Sequence, residues 1–119
     1  MTIRKPKREF RTIGEVCELL DIKPHVLRYW ESQFPELSPP KNRAGNRLYR
    51  ARDLETIALI RRLVHDERYT LEGARQQISR MEAAGEKAEH SARALERVGL
   101  RTLRAELEQI LELLGDPGG

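Results

Sequence analysis

Residues 12–50 read TIGEVCELLDIKPHVLRYWESQFPELSPPKNRAGNRLYR, and this stretch decides the fold. Thr12 followed by Glu15 has the Ser/Thr-x-x-Glu spacing of a capping box, in which each side chain satisfies a backbone N–H that the first helical turn leaves open. Ile13, Val16, Cys17, Leu19 and Leu20 then cluster on one face, so a short helix is expected over 13–20. Cys17 belongs to that apolar face and is read as a core residue. Asp21-Ile22-Lys23 breaks the pattern. Pro24 suits the first turn of a new helix, where its missing N–H costs nothing. Val26, Leu27, Trp30 and Phe34 give this second helix a buried stripe, with His25, Arg28, Tyr29 and Ser32 off it, and Pro35 ends it. Two short helices joined by a three-residue turn make a helix-turn-helix candidate.

The following stretch, 35–50, does not fit a helix. Pro39-Pro40 and Gly45-Asn46 punctuate two short extended pieces, 37–40 and 47–50, around a basic loop, the pattern of a β-hairpin wing. Asp53 can cap a third helix over 52–66, with Leu54, Ile57, Ala58, Ile60, Leu63 and Val64 as its apolar face. Thr70 can cap a fourth over 71–82, where Leu71, Ala74, Ile78 and Met81 follow helical spacing. The small-residue polar stretch 83–90, AAGEKAEH, reads as a hinge. The last helix, 91–114, carries Leu100, Leu103, Leu107, Ile110 and Leu114 at 3-4-3-4 spacing flanked by Arg and Glu, which is a coiled-coil seam. The seam could dock on its own domain. Pairing with a second copy is favoured, because the third and fourth helices already offer faces enough for a small core. The expected organisation is a basic arm 1–9, a DNA-binding domain 10–82, a hinge 83–90, a dimerisation helix 91–114 and a tail 115–119.

Composition fits this division. A chain of 119 residues with 34% charged and 5% aromatic residues suits one compact domain plus an extension, with a small aliphatic core. The net charge of +3 says less than its distribution. Residues 1–50 hold eleven Lys/Arg against six Asp/Glu, whereas residues 83–119 hold five against seven. A basic first half and an acidic last helix point to a polyanion for the one and protein for the other. Cys17 is the only cysteine, so an internal disulfide and a multi-thiolate metal site are excluded. The N-terminus MTIRKPKREFR has no apolar segment, and no run of about 18 apolar residues is present. A cytoplasmic, nucleoid-associated protein without membrane contact is expected. His25, His65 and His90 are scattered, and no Gly-rich phosphate loop or nucleophile elbow is present, so neither catalysis nor a cofactor is expected.

Three stretches together carry a resemblance: ThrIleGlyGluVal at 12–16, LeuArgTyrTrpGlu at 27–31 and GlyAsnArgLeuTyr at 45–49. They resemble the mercury-resistance regulator (MerR) family of winged helix-turn-helix transcriptional regulators, and the likeness continues through AlaArgAspLeuGlu at 51–55 to Thr70-Leu71. The resemblance implies a mostly α fold, in which the second helix enters the major groove of double-stranded DNA. It makes Arg28 and Tyr29 DNA-contacting residues and Arg47 a wing contact to the backbone. His25, near the helix start, is added by position, and Lys41 and Arg43 at the wing tip by charge. Arg28 has a duller alternative, pairing with Glu31 or Ser32, and Tyr29 could be partly core. Trp30 is read as core and Tyr49 as packed under the wing. The chain departs from the family pattern at Asp21, where Gly is usual, at Lys23, where Ser or Thr is usual, and at Val26 and Trp30. No cysteine follows Cys17 and no sensor domain is visible, so regulation by concentration or by a partner protein is expected. The implied function is a homodimeric regulator that binds an inverted repeat and works with RNA polymerase at the promoter. The alternative is a DNA-architectural, segregation or excisionase-like accessory protein with little sequence specificity.

Overall fold

The computed structural model describes residues 10–37 and 40–115; the expected basic arm 1–9, Ser38-Pro39 and the last four residues lie outside them. The described residues form five α-helices: α1 (Ile13–Leu20), α2 (Pro24–Gln33), α3 (Ala51–Arg61), α4 (Leu71–Ala83) and α5 (Lys87–Leu113).

The first helix starts as its sequence dictates. Thr12 Oγ1 accepts from the Glu15 N–H at 3.2 Å, and Glu15 Oε1 accepts from the Thr12 N–H at 3.0 Å. It ends at Asp21, which takes a left-handed backbone (φ 54°) and sends its N–H to the Cys17 carbonyl. An Asp tolerates this conformation better than most residues, because its short polar side chain can bond locally. The turn then swings Pro24 into the first position of α2. Val16, Leu20, Leu27, Trp30 and Phe34 are all buried in the hydrophobic core that the two helices share with the rest of the domain.

The hairpin expected over 37–40 and 47–50 is corrected. Among the described residues there is no β-strand; two isolated antiparallel bridges, Arg11 with Tyr49 and Lys41 with Arg47, stand in its place. The hydrogen-bond partners explain why. Tyr49 exchanges two bonds of 2.8 Å with Arg11, so the second extended piece pairs with the lead-in to α1. Pro40 has no N–H to donate and only accepts, from Leu48 at 2.8 Å. Asn42 closes the loop between them. Its side-chain oxygen accepts from Ala44 N–H at 2.9 Å and Asn46 N–H at 3.0 Å, and Gly45 supplies the positive φ of 83° that the turn needs.

The third helix is shorter than expected. Its N-cap is Arg50, and Asp53 sits three residues in, where its carboxylate accepts from the Arg50 N–H at 2.9 Å. After Arg61 the helix widens into a single π turn, Arg62–Asp66, closed by the Glu67 N–H on the Arg62 carbonyl. Arg68 then turns the chain at φ 62°, and Thr70 caps α4 by accepting from the Gly73 N–H at 3.0 Å.

The expected hinge 83–90 is corrected too. The turn spans only Ala84–Glu86, with Gly85 at φ 74°, and α5 begins at Lys87. The first three turns of α5 are part of the core. Ser91, Ala94 and Val98 are buried against α3, the most extensive helix pairing in the chain. The stretch 83–90 itself stays exposed or half-buried; the small residues that let α5 approach α3 come just after it, at Ser91 and Ala94. From Gly99 onward α5 leaves the domain, and Leu100 is already 66% exposed.

Candidate nucleic-acid interface

Helix α2 is held from behind and open in front. Leu27 and Trp30 are buried, and the Trp30 ring meets His65 of the π turn at 5.7 Å between centroids. On the other side Arg28 and Tyr29 stand side by side, each three or four residues from His25 and from Ser32, which puts the four on a single outward stripe. Tyr29 is 57% exposed, so it is not a core residue. Arg28 is exposed and makes no ion pair or hydrogen bond with Glu31 or Ser32; the Ser32 hydroxyl donates instead to the Tyr29 carbonyl. The guanidinium carries a planar fork of donors on the exposed face of α2. Trp30 and Tyr49 are buried as expected, and so is Cys17, whose thiol burial pushes above its usual range.

The basic loop flanks this stripe. Lys41 and Arg43 are exposed at its tip. Arg47 is different: it is half-buried, and its Nε donates to Glu31 Oε1 at 2.6 Å. The other oxygen of the same carboxylate accepts from the Tyr49 hydroxyl. Burial and the neighbouring Glu31 carboxylate push the Tyr49 phenol far above its ordinary range, so it remains a donor throughout the physiological range. Alternate residues of an extended segment point the same way, which is how Arg47 and Tyr49 both reach one carboxylate. Sequence reasoning placed Arg47 outward and gave Glu31 only a surface role. The i, i+2 pairing of Arg and Tyr was visible in the sequence, but nothing local names the helix residue they converge on.

At the far end, Leu100, Leu103, Leu107, Ile110 and Leu114 are all exposed, and so are Leu111 and Leu113 beside them. Arg101 is the first charged residue of this free segment, and it reaches back to Asp66 in the π turn at 2.9 Å. Among the described residues no group of three His, Cys, Asp or Glu side chains is close enough to hold a metal ion, and no helix is long and apolar enough to cross a membrane.

A buried two-helix unit that presents one polar, cation-bearing helix face beside a basic loop is a helix-turn-helix module of the DNA-binding regulator class. Residues 11–81 match the family model of the MerR HTH family regulatory proteins, and the chain belongs to that family. Over 53 residues it is 40% identical to the HTH-type transcriptional regulator MlrA of Escherichia coli (strain K12). The same identity holds to the MlrA proteins of two Salmonella typhimurium strains, SL1344 and LT2. The matched stretch is 44% of this chain and 22% of those relatives, so the likeness covers about a fifth of their length. No solved structure matches.

Proposed function

We propose that the protein is a homodimeric, sequence-specific DNA-binding transcriptional regulator that recognises an inverted repeat. The single observation carrying this is the outward stripe of α2, where His25, Arg28 and Tyr29 stand exposed on a helix whose opposite face is locked into the core. A major groove admits such a helix, and the Arg28 fork matches the two acceptors on a guanine edge. Tyr29 reaches a phosphate through its hydroxyl. Lys41 and Arg43 lie on the backbone beside the groove, where the loop acts as a wing without strand pairing, and contribute affinity without reading sequence.

The exposed seam from Leu100 to Leu114 supports pairing with a second copy, since it offers a continuous apolar edge that the domain itself leaves in water. Two copies related by a two-fold axis meet two half-sites, so a palindromic site follows from the symmetry. The site lies at promoters in the cytoplasm, beside RNA polymerase.

Selection of bound fragments from a random DNA pool, followed by sequencing, tests the reading. A two-fold symmetric motif is expected. Recovery of DNA with no motif, or with a shape bias alone, would overturn sequence-specific regulation in favour of an architectural or recombination role.

A further inference from the structure

Helix α5 leaves the domain at a point that packing alone does not fix. Val98 is the last buried residue described on it, and Gly99 follows with open space where a Cβ would be. There a cavity of about 200 Å³ separates α5 from α1 and the end of α3, lined by Leu19, Leu20, Val98 and Ala105 with Arg61 and Arg101 beside them. A glycine inside a helix loosens its backbone, and an unfilled space beside it withholds the contacts that would hold one angle.

What spans this corner is charge. Asp66, in the π turn after α3, has Arg101 Nη2 at 2.9 Å from Oδ2 and Arg61 Nη1 at 4.0 Å from Oδ1, so one carboxylate lies between two guanidiniums. Arg61 is mostly buried, its Nε has no acceptor, and Asp66 is the one carboxylate within 4.0 Å of it among the described residues. The two cations repel each other, and the carboxylate between them turns that repulsion into attraction on both sides. The turn that carries Asp66 also meets the recognition helix, through the neighbouring His65 on Trp30. An exposed ion pair shifts an equilibrium by at most about fivefold, which is small for a fold and sufficient for a junction that packing leaves loose.

Resting on the dimeric DNA-binding reading above, we infer that Asp66 is a positioning residue that latches the free half of α5 through Arg101 and so sets the half-site spacing that the dimer accepts. In a two-fold dimer each α2 is joined to the seam through this junction, and one angle there sets one distance between the two recognition helices. One base pair more or less between half-sites moves one of them by about 3.4 Å and turns it by about 35° around the duplex. A latched junction resists that change, and a loose one follows it.

The test measures affinity for the selected inverted repeat and for the same half-sites with one base pair added to or removed from the spacer. Wild type is compared with Asp66→Asn, Asp66→Glu, Arg101→Gln and the double variant Asp66→Asn/Arg101→Gln. The readout is the ratio of affinities for the selected and the altered spacers. Asp66→Asn should lower that ratio by about fivefold, because it removes the attraction and leaves Arg61 and Arg101 repelling. Arg101→Gln removes the attraction alone and should lower it less. The double variant should match Arg101→Gln, and Asp66→Glu, which keeps the charge, should keep most of the ratio. A role in folding alone would weaken binding to all three duplexes alike and leave the ratio where it was.

An unchanged ratio in either folded single variant would overturn the inference. So would a double variant that shows the product of the two single losses, since the two residues would then act independently. Arg101 is 53% exposed on the free segment, so Arg101→Gln decides the matter if Asp66→Asn does not fold. Wild type that binds the repeat but accepts all three spacers alike overturns the inference and leaves the proposed function standing. Wild type that binds no duplex, or a single half-site as tightly as the repeat, defeats the proposed function itself before any variant is compared.

Discussion

Replacing Leu103 and Leu107 together by Glu attacks the centre of the exposed seam. In the single chain these side chains are 62% and 54% exposed, so that share of each is available for burial by a partner. Fully burying a Leu side chain is worth about 1.5–3 kcal/mol, which scales to about 1–2 kcal/mol for Leu103 and about 0.8–1.6 kcal/mol for Leu107. A two-fold dimer loses each contribution twice, for a combined cost of about 3.5–7 kcal/mol before any penalty for four new carboxylates at the seam. At about 1.4 kcal/mol per power of ten, dimer dissociation should rise by roughly two to five powers of ten. Sedimentation over a concentration series reads this directly, and the double variant should run as a monomer where wild type is dimeric. Circular dichroism adds a second readout. The 15 residues from Gly99 to Leu113 carry no buried side chain among those described and are tied back to the domain by the Arg101–Asp66 pair, and isolated helices of about 12–15 residues are marginal in water. The monomer should therefore lose helical signal while the α1–α4 domain keeps a cooperative melt. A variant that dimerised with the wild-type dissociation constant would refute the assignment of the seam.

Arg28→Ala should weaken the selected site by about 1–3 kcal/mol and relax base preference at one position per half-site, measured by competition with single-base variants; a uniform loss on all sequences would make Arg28 a phosphate contact instead. Tyr49→Phe deletes the donor to Glu31 inside the loop–helix clamp and should lower stability by about 1–3 kcal/mol in urea denaturation; an unchanged midpoint would show that the hydroxyl bond contributes nothing net. Stability should also fall in alkali. Burial pushes the Cys17 thiol and the Tyr49 phenol up, so the folded chain keeps protons that the unfolded chain releases. This contribution is complete below the unfolded values, about 8.5 for the thiol and about 10 for the phenol, and is lost as pH rises past them. Urea midpoints that stay level from neutral pH to about 10.5 would contradict it, and Tyr49→Phe should remove the upper part of the decline.

What the sequence revealed and what it hid divide along a physical line. Helix α1 was legible to the residue because its determinants are local: the Thr12–Glu15 box, a clean apolar face and a polar residue able to turn left-handed at Asp21. Pro24 and Thr70 marked the starts of α2 and α4 for the same reason. The end of α3 was misread because the apolar pattern runs on through Leu63 and Val64, while the backbone shifts to a π turn that keeps Leu63 buried without α-helical bonding. The start of α5 was hidden because residues 83–90 carry no apolar stripe: in the fold they stay exposed or half-buried, and α5 first enters the core at Ser91. The outward stripe of α2 was legible from periodicity. The Glu31–Arg47–Tyr49 cluster was not, because it joins residues 16 and 18 positions apart whose spacing obeys no helical or strand period.

The division of α5 into a packed half and a free half also bears on how two copies would address one DNA site. Helix α5 packs on α3 and, less extensively, on α1, and its Ala94 and Val98 belong to the same hydrophobic core as Leu27 and Trp30, so the direction in which α5 leaves the domain is set by the core that sets α2. Arg101 then ties the first free turn to Asp66, in the turn whose His65 touches Trp30 of α2. The path from the seam to the recognition helix thus runs through one continuous helix and two side-chain contacts. Gly99 stands at the point where α5 leaves the core, with open space around its missing Cβ and a helix-interior cost of about 0.5–1 kcal/mol relative to Ala. No close contact demands a glycine there. Any bending between the two halves would concentrate at this residue, and the Arg101–Asp66 pair opposes it. In the proposed dimer the separation of the two α2 helices is then a property of α5 and its anchoring on α3, and any change at the junction is felt first as altered spacing between half-sites.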